Sequence, residues 1–241
     1  MITSNVENAD IILLVAASDI GAHRRRGQNQ GAKQLHQMVC ELETPVKILD
    51  YGRLFLDSFN LASTHAEIER AVREAATYNK PLLMIGGDHS ISYGALKVFS
   101  KAQIHSFDAH PDLVDEEIIT AQSVMSSFKD RLSLHGVRYT TLQEKNAMRA
   151  LRESNTDHVY ISIDVDVLDP KNLPGVAYPT EKGWSFEKLK EEIRHVLHGK
   201  RLVCADIVEY CPLVEEKKSA QVMKELLIFI IEILNTPHKR K

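Results

Sequence analysis

The stretch Gln103-Ile104-His105-Ser106-Phe107-Asp108-Ala109-His110-Pro111-Asp112 opens as a strand-like run and ends with acidic and imidazole side chains at alternate positions. In extended backbone, residues i, i+2 and i+4 project to one side, so Asp108, His110 and Asp112 can converge on one point. The pattern returns at Ser162-Ile163-Asp164-Val165-Asp166, after the run from Val159. A third element, Ile85-Gly86-Gly87-Asp88-His89-Ser90, follows the run from Pro81 and sets a histidine where a strand gives way to a loop. One D-x-D alone can be a turn former or a loop cap. Three such elements, all at the carboxyl ends of strand candidates, lie where open α/β sheets bind ligands.

Outward from these elements, apolar strand candidates alternate with helical patterns. Strands are expected over 11–17, 46–50, 82–85, 103–107, 159–164 and 202–208, with a weaker one over 132–137; helices are expected over 33–42, 64–78, 93–100, 142–153, 185–197 and 216–234. Thr64-His65-Ala66-Glu67 has the form of a capping box, and Gly199 follows Phe186, Leu189, Ile193 and Leu197 as a helix stop. Such alternation predicts an α/β fold: three α/β/α layers around a mostly parallel sheet, one domain over 1–241, with no repeat or linker to divide it.

Composition bounds the partners. A chain of 241 residues with 44% hydrophobic content can bury a full core, and a net charge of −3 argues for neither nucleic acid nor a membrane as partner. The longest apolar run, 226–234, carries Glu232 and is too short to span a bilayer, and the first residues lack the basic-then-apolar layout of a signal peptide. Cys40, Cys204 and Cys211 have no framework spacing, which suggests a reducing compartment; a cytoplasmic location is expected. The basic tail His238-Lys239-Arg240-Lys241 is expected to be a frayed end.

His89, Asp108, His110, Asp112, Asp164 and Asp166 are therefore the candidate metal ligands. A single structural zinc takes four ligands and favours thiolates. Six ligands rich in carboxylate suit Mn²⁺ or a similar octahedral ion, and their number suits two ions sharing bridging carboxylates around a hydroxide.

Gly86-Gly87-Asp88-His89-Ser90, Ser106-Phe107-Asp108-Ala109-His110-Pro111-Asp112 and Ser162-Ile163-Asp164-Val165-Asp166-Val167-Leu168-Asp169-Pro170 resemble, in order, the three signature motifs of the ureohydrolases, the arginase/agmatinase/formimidoylglutamase family. Cys204-Ala205-Asp206-Ile207-Val208-Glu209-Tyr210-Cys211-Pro212 resembles the family's D-I-x-E-x-x-P segment. The resemblance implies an arginase-like fold and a hydrolase with two manganese ions per chain that cleaves a C–N bond of a small cationic amidine or guanidino substrate. It further implies that His89, Asp108, Asp112 and Asp164 hold one ion and His110, Asp108, Asp164 and Asp166 the other. Asp112 and Glu209 are then the catalytic carboxylates, Glu209 pairing with the substrate's amidinium. Asp88 is expected behind the ligands and Asp169 in a turn. A homo-oligomer is implied as well, with the apolar C-terminal helix as a candidate interface.

Marks of subfamily are mixed. Ser18-Asp19-Ile20-Gly21-Ala22-His23-Arg24-Arg25-Arg26-Gly27 and Pro174-Gly175-Val176-Ala177-Tyr178-Pro179 look like formimidoylglutamase segments, whereas Gly86-Gly87-Asp88-His89-Ser90 has the arginase and agmatinase form. One of Arg24, Arg25 and Arg26 is expected to clamp a substrate carboxylate. Arginases and agmatinases carry a histidine-glycine pair after the second motif; here Gln122-Ser123 falls in its place, with His135 or Asp115 as candidate proton donors. A metal-binding relative with little activity and a regulatory role is the alternative.

Overall fold

The computed structural model describes residues 1–236, so the basic tail at 238–241 lies outside the described residues. Eight strands form one sheet: β1 (Ile2–Thr3), β2 (Ile11–Ala16), β3 (Ile48–Arg53), β4 (Leu82–Gly86), β5 (Gln103–Phe107), β6 (Leu132–His135), β7 (His158–Asp164) and β8 (Arg201–Val208). Their order across the sheet is β1-β3-β2-β4-β8-β7-β5-β6, and every pairing between them is parallel. The helices are α1 (Gln28–Glu41), α2 (Leu61–Ala76), α3 (Ser92–Val98), α4 (Leu142–Met148), α5 (Phe186–Val196) and α6 (Lys217–Leu234).

Strand β2 shows why helices cover both faces. Ile11, Leu13 and Val15 join one core with Leu35 of α1, Leu189 of α5 and Leu226 of α6. Ile12, Leu14 and Ala16 point the other way, into a core with Ile68 of α2 and Leu96 of α3. A strand buried on both sides is apolar throughout, as a parallel sheet requires. The apolar stripe of α6 is spent on this core, since Met223, Leu226, Leu227, Ile230 and Ile231 are all buried within the chain.

Element ends differ from expectation: α1 begins at Gln28 rather than 33, α4 stops at Met148 rather than 153, and the strand expected over 46–50 runs Ile48–Arg53. Helix α2 starts at Leu61, where Asn60 accepts from the Ser63 backbone N–H; Thr64 sits within the helix and donates instead to the Asp57 carbonyl. Capping boxes form elsewhere, between Thr141 and Glu144 at α4 and between Thr120 and Ser123. Gly199 does follow α5 with a left-handed φ of 72°.

Candidate metal centre

Four neighbouring strands, β4, β8, β7 and β5, build the site at their carboxyl ends. Register aligns Phe107 with Ile163 and Asp164 with Val208, so Asp108, Asp164 and Glu209 leave the sheet at one level. Gly87 lets the loop after β4 pass close to the end of β2: a Cβ there would lie 1.7 Å from the Ser18 carbonyl oxygen. Two site residues are held in left-handed backbone, Asp112 at φ 50° and Glu209 at φ 68°, the kind of strain that persists where the surroundings fix it.

The six expected ligands come together. His89 Nδ1 lies 2.8 Å from Asp112 Oδ2, 3.2 Å from Asp108 Oδ2 and 3.7 Å from Asp164 Oδ2. His110 Nδ1 lies 2.9 Å from Asp166 Oδ2 and 3.5 Å from Asp108 Oδ1. Asp108 thus turns one oxygen to each imidazole. Two groups of donors result, His89–Asp108–Asp164 and Asp108–His110–Asp166, with Asp108 common to both.

This donor set fits divalent cations. His89 Nδ1 and Asp108 Oδ2 are buried and make no hydrogen bond despite their closeness. Buried polar atoms normally have partners, so an orphaned donor–acceptor pair facing one point is suited to sharing a cation. The tautomer is fixed from behind. Tyr160 donates to Asp206 Oδ2 at 2.5 Å, and Ser162 gives its only proton to Asp206 Oδ1 at 2.7 Å, so Ser162 Oγ can only accept from His89 Nε2 at 2.9 Å. With Nε2 donating to Ser162, Nδ1 is the atom turned to the carboxylates; burial opposes its protonation, but Asp108 and Asp112 hold the imidazole well above its ordinary range in the metal-free chain, so a cation would take the place of the Nδ1 proton.

Electrostatics tell the same story for the metal-free chain. Burial, then the charge of Asp108, pushes the Asp112 carboxyl up to about 7. Burial, then Asp166 and Asp108, raises Asp164 well above the usual carboxylate range. Burial works against His110, yet its hydrogen bonds to Asp108 and Asp166 carry it up to about 12. Crowded carboxylates thus retain protons that a cation replaces.

Glu209 is buried beside the cluster. Its Oε1 accepts from the His89 backbone N–H and its Oε2 from Gln28 Nε2, both at 2.8 Å, while burial, then Asp88, raises its carboxyl to about 8. Asp88 stands behind the ligands as expected, accepting from the backbone N–H groups of Gly21 and Ser90. Asp169 forms its turn through Lys171 and Gly183.

A cavity of about 660 Å³ opens above the cluster, floored by Asp112, Asp164, Asp166 and Glu209. Arg24 lines its rim, whereas Arg25 and Arg26 are not among the lining residues. Neither are the two proton donors suggested by sequence. His135 ends β6, where it hydrogen-bonds His105 at 2.9 Å and stacks on Phe107; Asp115 is exposed. Instead His23 lines the cavity with its Nδ1 2.5 Å from Gln122 Nε2, so an imidazole from the loop after β2 meets Gln122, the residue expected in place of the histidine-glycine pair that follows the second motif. Arg138 was not anticipated either. It donates to the carbonyls of Asp166 at 2.6 Å and Thr180 at 2.8 Å, tying the rim to the floor.

An all-parallel α/β sheet with a carboxylate–imidazole cluster at adjoining strand ends has the build of a metal-dependent α/β enzyme. The model of the arginase family matches residues 9–130 and 119–231, and the chain belongs to that family, whose members hydrolyse C–N bonds of amidines or guanidines. A formimidoylglutamase of Aeromonas salmonicida is 25% identical over 275 residues, covering 93% of this chain and 87% of its own length. In structure, the formimidoylglutamase of Bacillus subtilis superposes with a TM-score of 0.87 at 16% identity, over 98% of this chain and 90% of that one. The formiminoglutamase of Trypanosoma cruzi, solved with Mn²⁺, gives 0.82 at 20% identity, over 98% and 97% of the two chains. Among the described residues no helix is long and apolar enough to cross a membrane.

Proposed function

We propose that the chain hydrolyses the C–N bond of an amidine carried by a small carboxylic acid, as in a formimidoyl amino acid, with two manganese ions bound by His89, Asp108, His110, Asp112, Asp164 and Asp166. The observation that carries this reading is the two-ended cavity: carboxylates at its floor, Arg24 at its rim. A cationic amidinium suits the floor and a carboxylate suits the guanidinium. Glu144 and Glu181 also line the cavity, so Arg24, the one Lys or Arg among its lining residues, is what would select an acid end over the second cation of agmatine.

Bound divalent ions supply Lewis acidity, which lowers the pKa of water so that a nucleophile is available near neutral pH. The protein's own groups do the rest. Glu209, fixed by Gln28 and the His89 backbone, pairs with the amidinium and presents its trigonal carbon to the floor. Asp112, whose Oδ2 lies 2.8 Å from His89 Nδ1, places its carboxylate at the floor where that carbon is presented. When the C–N bond breaks, the departing amine needs a proton, and His23 is the imidazole that lines the rim beside Gln122. Arg24 anchors the acid end.

The test is a substrate panel with manganese-loaded protein. N-formimidoyl-glutamate is expected to be cleaved to formamide and the free amino acid, with kcat/KM at least about 10²-fold above that for agmatine or arginine, as unpaired charge in a built site imposes. Urea release from agmatine at the higher rate would overturn the assignment.

A further inference from the structure

Away from the cavity, one more cluster offers ligands of three different kinds. His36 and Cys40 stand four residues apart on α1, hence on one helix face, and that face meets Asp50 of β3. His36 Nε2 lies 2.8 Å from Asp50 Oδ2, and Cys40 Sγ lies 3.9 Å from the same oxygen. All three donor atoms are within 4.8 Å of one another. We infer that His36, Cys40 and Asp50 form a separate site for a borderline-soft divalent cation of the zinc type.

Several observations support it. Zinc bonds of about 2.0–2.3 Å place tetrahedral donors roughly 3.3–3.8 Å apart, and the two distances here bracket that range. Asp50 is pre-aimed: its Oδ1 accepts from the Gly52 backbone N–H at 2.8 Å, which turns Oδ2 to the imidazole and thiol. The His36 and Asp50 side chains are only 17% and 19% exposed, while Cys40 is exposed, so a cation has both a shielded seat and a path in. Water can complete a fourth position on the open side. A histidine–aspartate hydrogen bond alone needs no thiol, whereas zinc favours this mixed nitrogen, sulfur and oxygen set. Manganese does not favour thiolate, so the two kinds of site sort ions by ligand softness.

Its consequence is mechanical. Gln28 begins α1 and holds Glu209; the cluster lies near the helix's other end and fastens it to β3. Occupancy clamps the helix that positions the substrate-pairing carboxylate.

Cobalt provides the probe, because a thiolate ligand produces a charge-transfer absorption in the near ultraviolet and the carboxylate–imidazole cluster contains no sulfur. Full-length metal-free protein titrated with Co²⁺ is expected to show this absorption, Asp164→Ala to keep it, and Cys40→Ser to lose it along with one zinc equivalent per chain. In native protein, Zn²⁺ should slow alkylation of Cys40 at least about tenfold, since a coordinated thiolate is no longer a free nucleophile. No thiolate absorption in the native chain, its persistence in Cys40→Ser, or unchanged alkylation with zinc would each overturn the proposal.

Discussion

The floor of the cavity and its rim are built in different ways. Asp108, Asp164, Asp166 and Glu209 sit within two positions of strand ends in neighbouring strands, with Asp112 five positions past the end of β5, and Asp108, Asp164 and Glu209 are nearly inaccessible to solvent. Rim residues come from the loop at 18–27, from the segment around Gln122 and from 176–181, tied down by a few hydrogen bonds such as those from Arg138 to Thr180 and Glu181. A floor fixed by the sheet holds chemistry constant, and a rim fixed by loops is free to change what is bound. The histidine-glycine pair expected after the second motif, and replaced here by Gln122-Ser123, follows this division. Its place at Gln122 is met by His23 from another loop, with no change to the floor.

The largest effect that can break this contrast is at Asp108, which both imidazoles face. Asp108→Ala should lower kcat/KM by more than about 10⁴-fold, because both donor groups lose their shared carboxylate. A loss under tenfold would mean that the floor is not one unit. Next comes Ser162→Ala, which leaves His89 Nε2 without its acceptor. Manganese affinity at the His89 group should weaken by about 10–100-fold, measured by metal competition, as loss of such a partner typically does.

At the rim, Arg24→Ala should raise KM about tenfold with kcat little changed, the mark of lost uniform binding. Arg25→Ala and Arg26→Ala should leave KM within about twofold, because neither lines the cavity. Equal effects from all three would replace the clamp with a diffuse positive field.

A smaller effect is a pH dependence of metal-free stability. Asp112 at about 7 and Glu209 at about 8 lie above their ordinary values of 3.8 and 4.5, so the unfolded chain sheds these protons first. Stability therefore falls as pH rises through that window. His110 acts in the same sense: its stabilisation is whole below 6.5 and is lost as pH climbs towards about 12. With chelator, Tm should drop between about pH 5 and about pH 9, and the rise in Tm given by Mn²⁺ should grow over the same range. A chelated Tm that climbs with pH would contradict the proton-holding cluster.

The floor was legible in the sequence because its signals are local. The motifs marked the right residues, although these converge through turns rather than the expected extended backbone: Asp108 caps His110, Asp112 is left-handed, and Asp164 caps the 3-10 turn that carries Asp166. His89 meets Asp108, Asp112 and Asp164, and His110 meets Asp108 and Asp166. What escaped depends on pairing at long range. Ser162 and Asp206 face each other across β7 and β8, yet stand 44 residues apart in the chain. Asp206 lay in a recognised motif without a role, and only the register of two strands shows that it steers His89. His23 and Gln122, 99 residues apart, meet only when two loops fold over the cavity. The start of α2 was misplaced for a related reason. Thr64 and Glu67 have the right spacing for a cap, but Asn60 provides the cap one turn earlier and Thr64 bonds back to Asp57.

The most direct test is the manganese content of chains purified without chelator and dialysed with Mn²⁺, native against Asp164→Ala. Two ions per native chain, with loss in the variant, are predicted by the paired groups that share Asp108. One ion or none in the native chain would contradict a two-metal hydrolase.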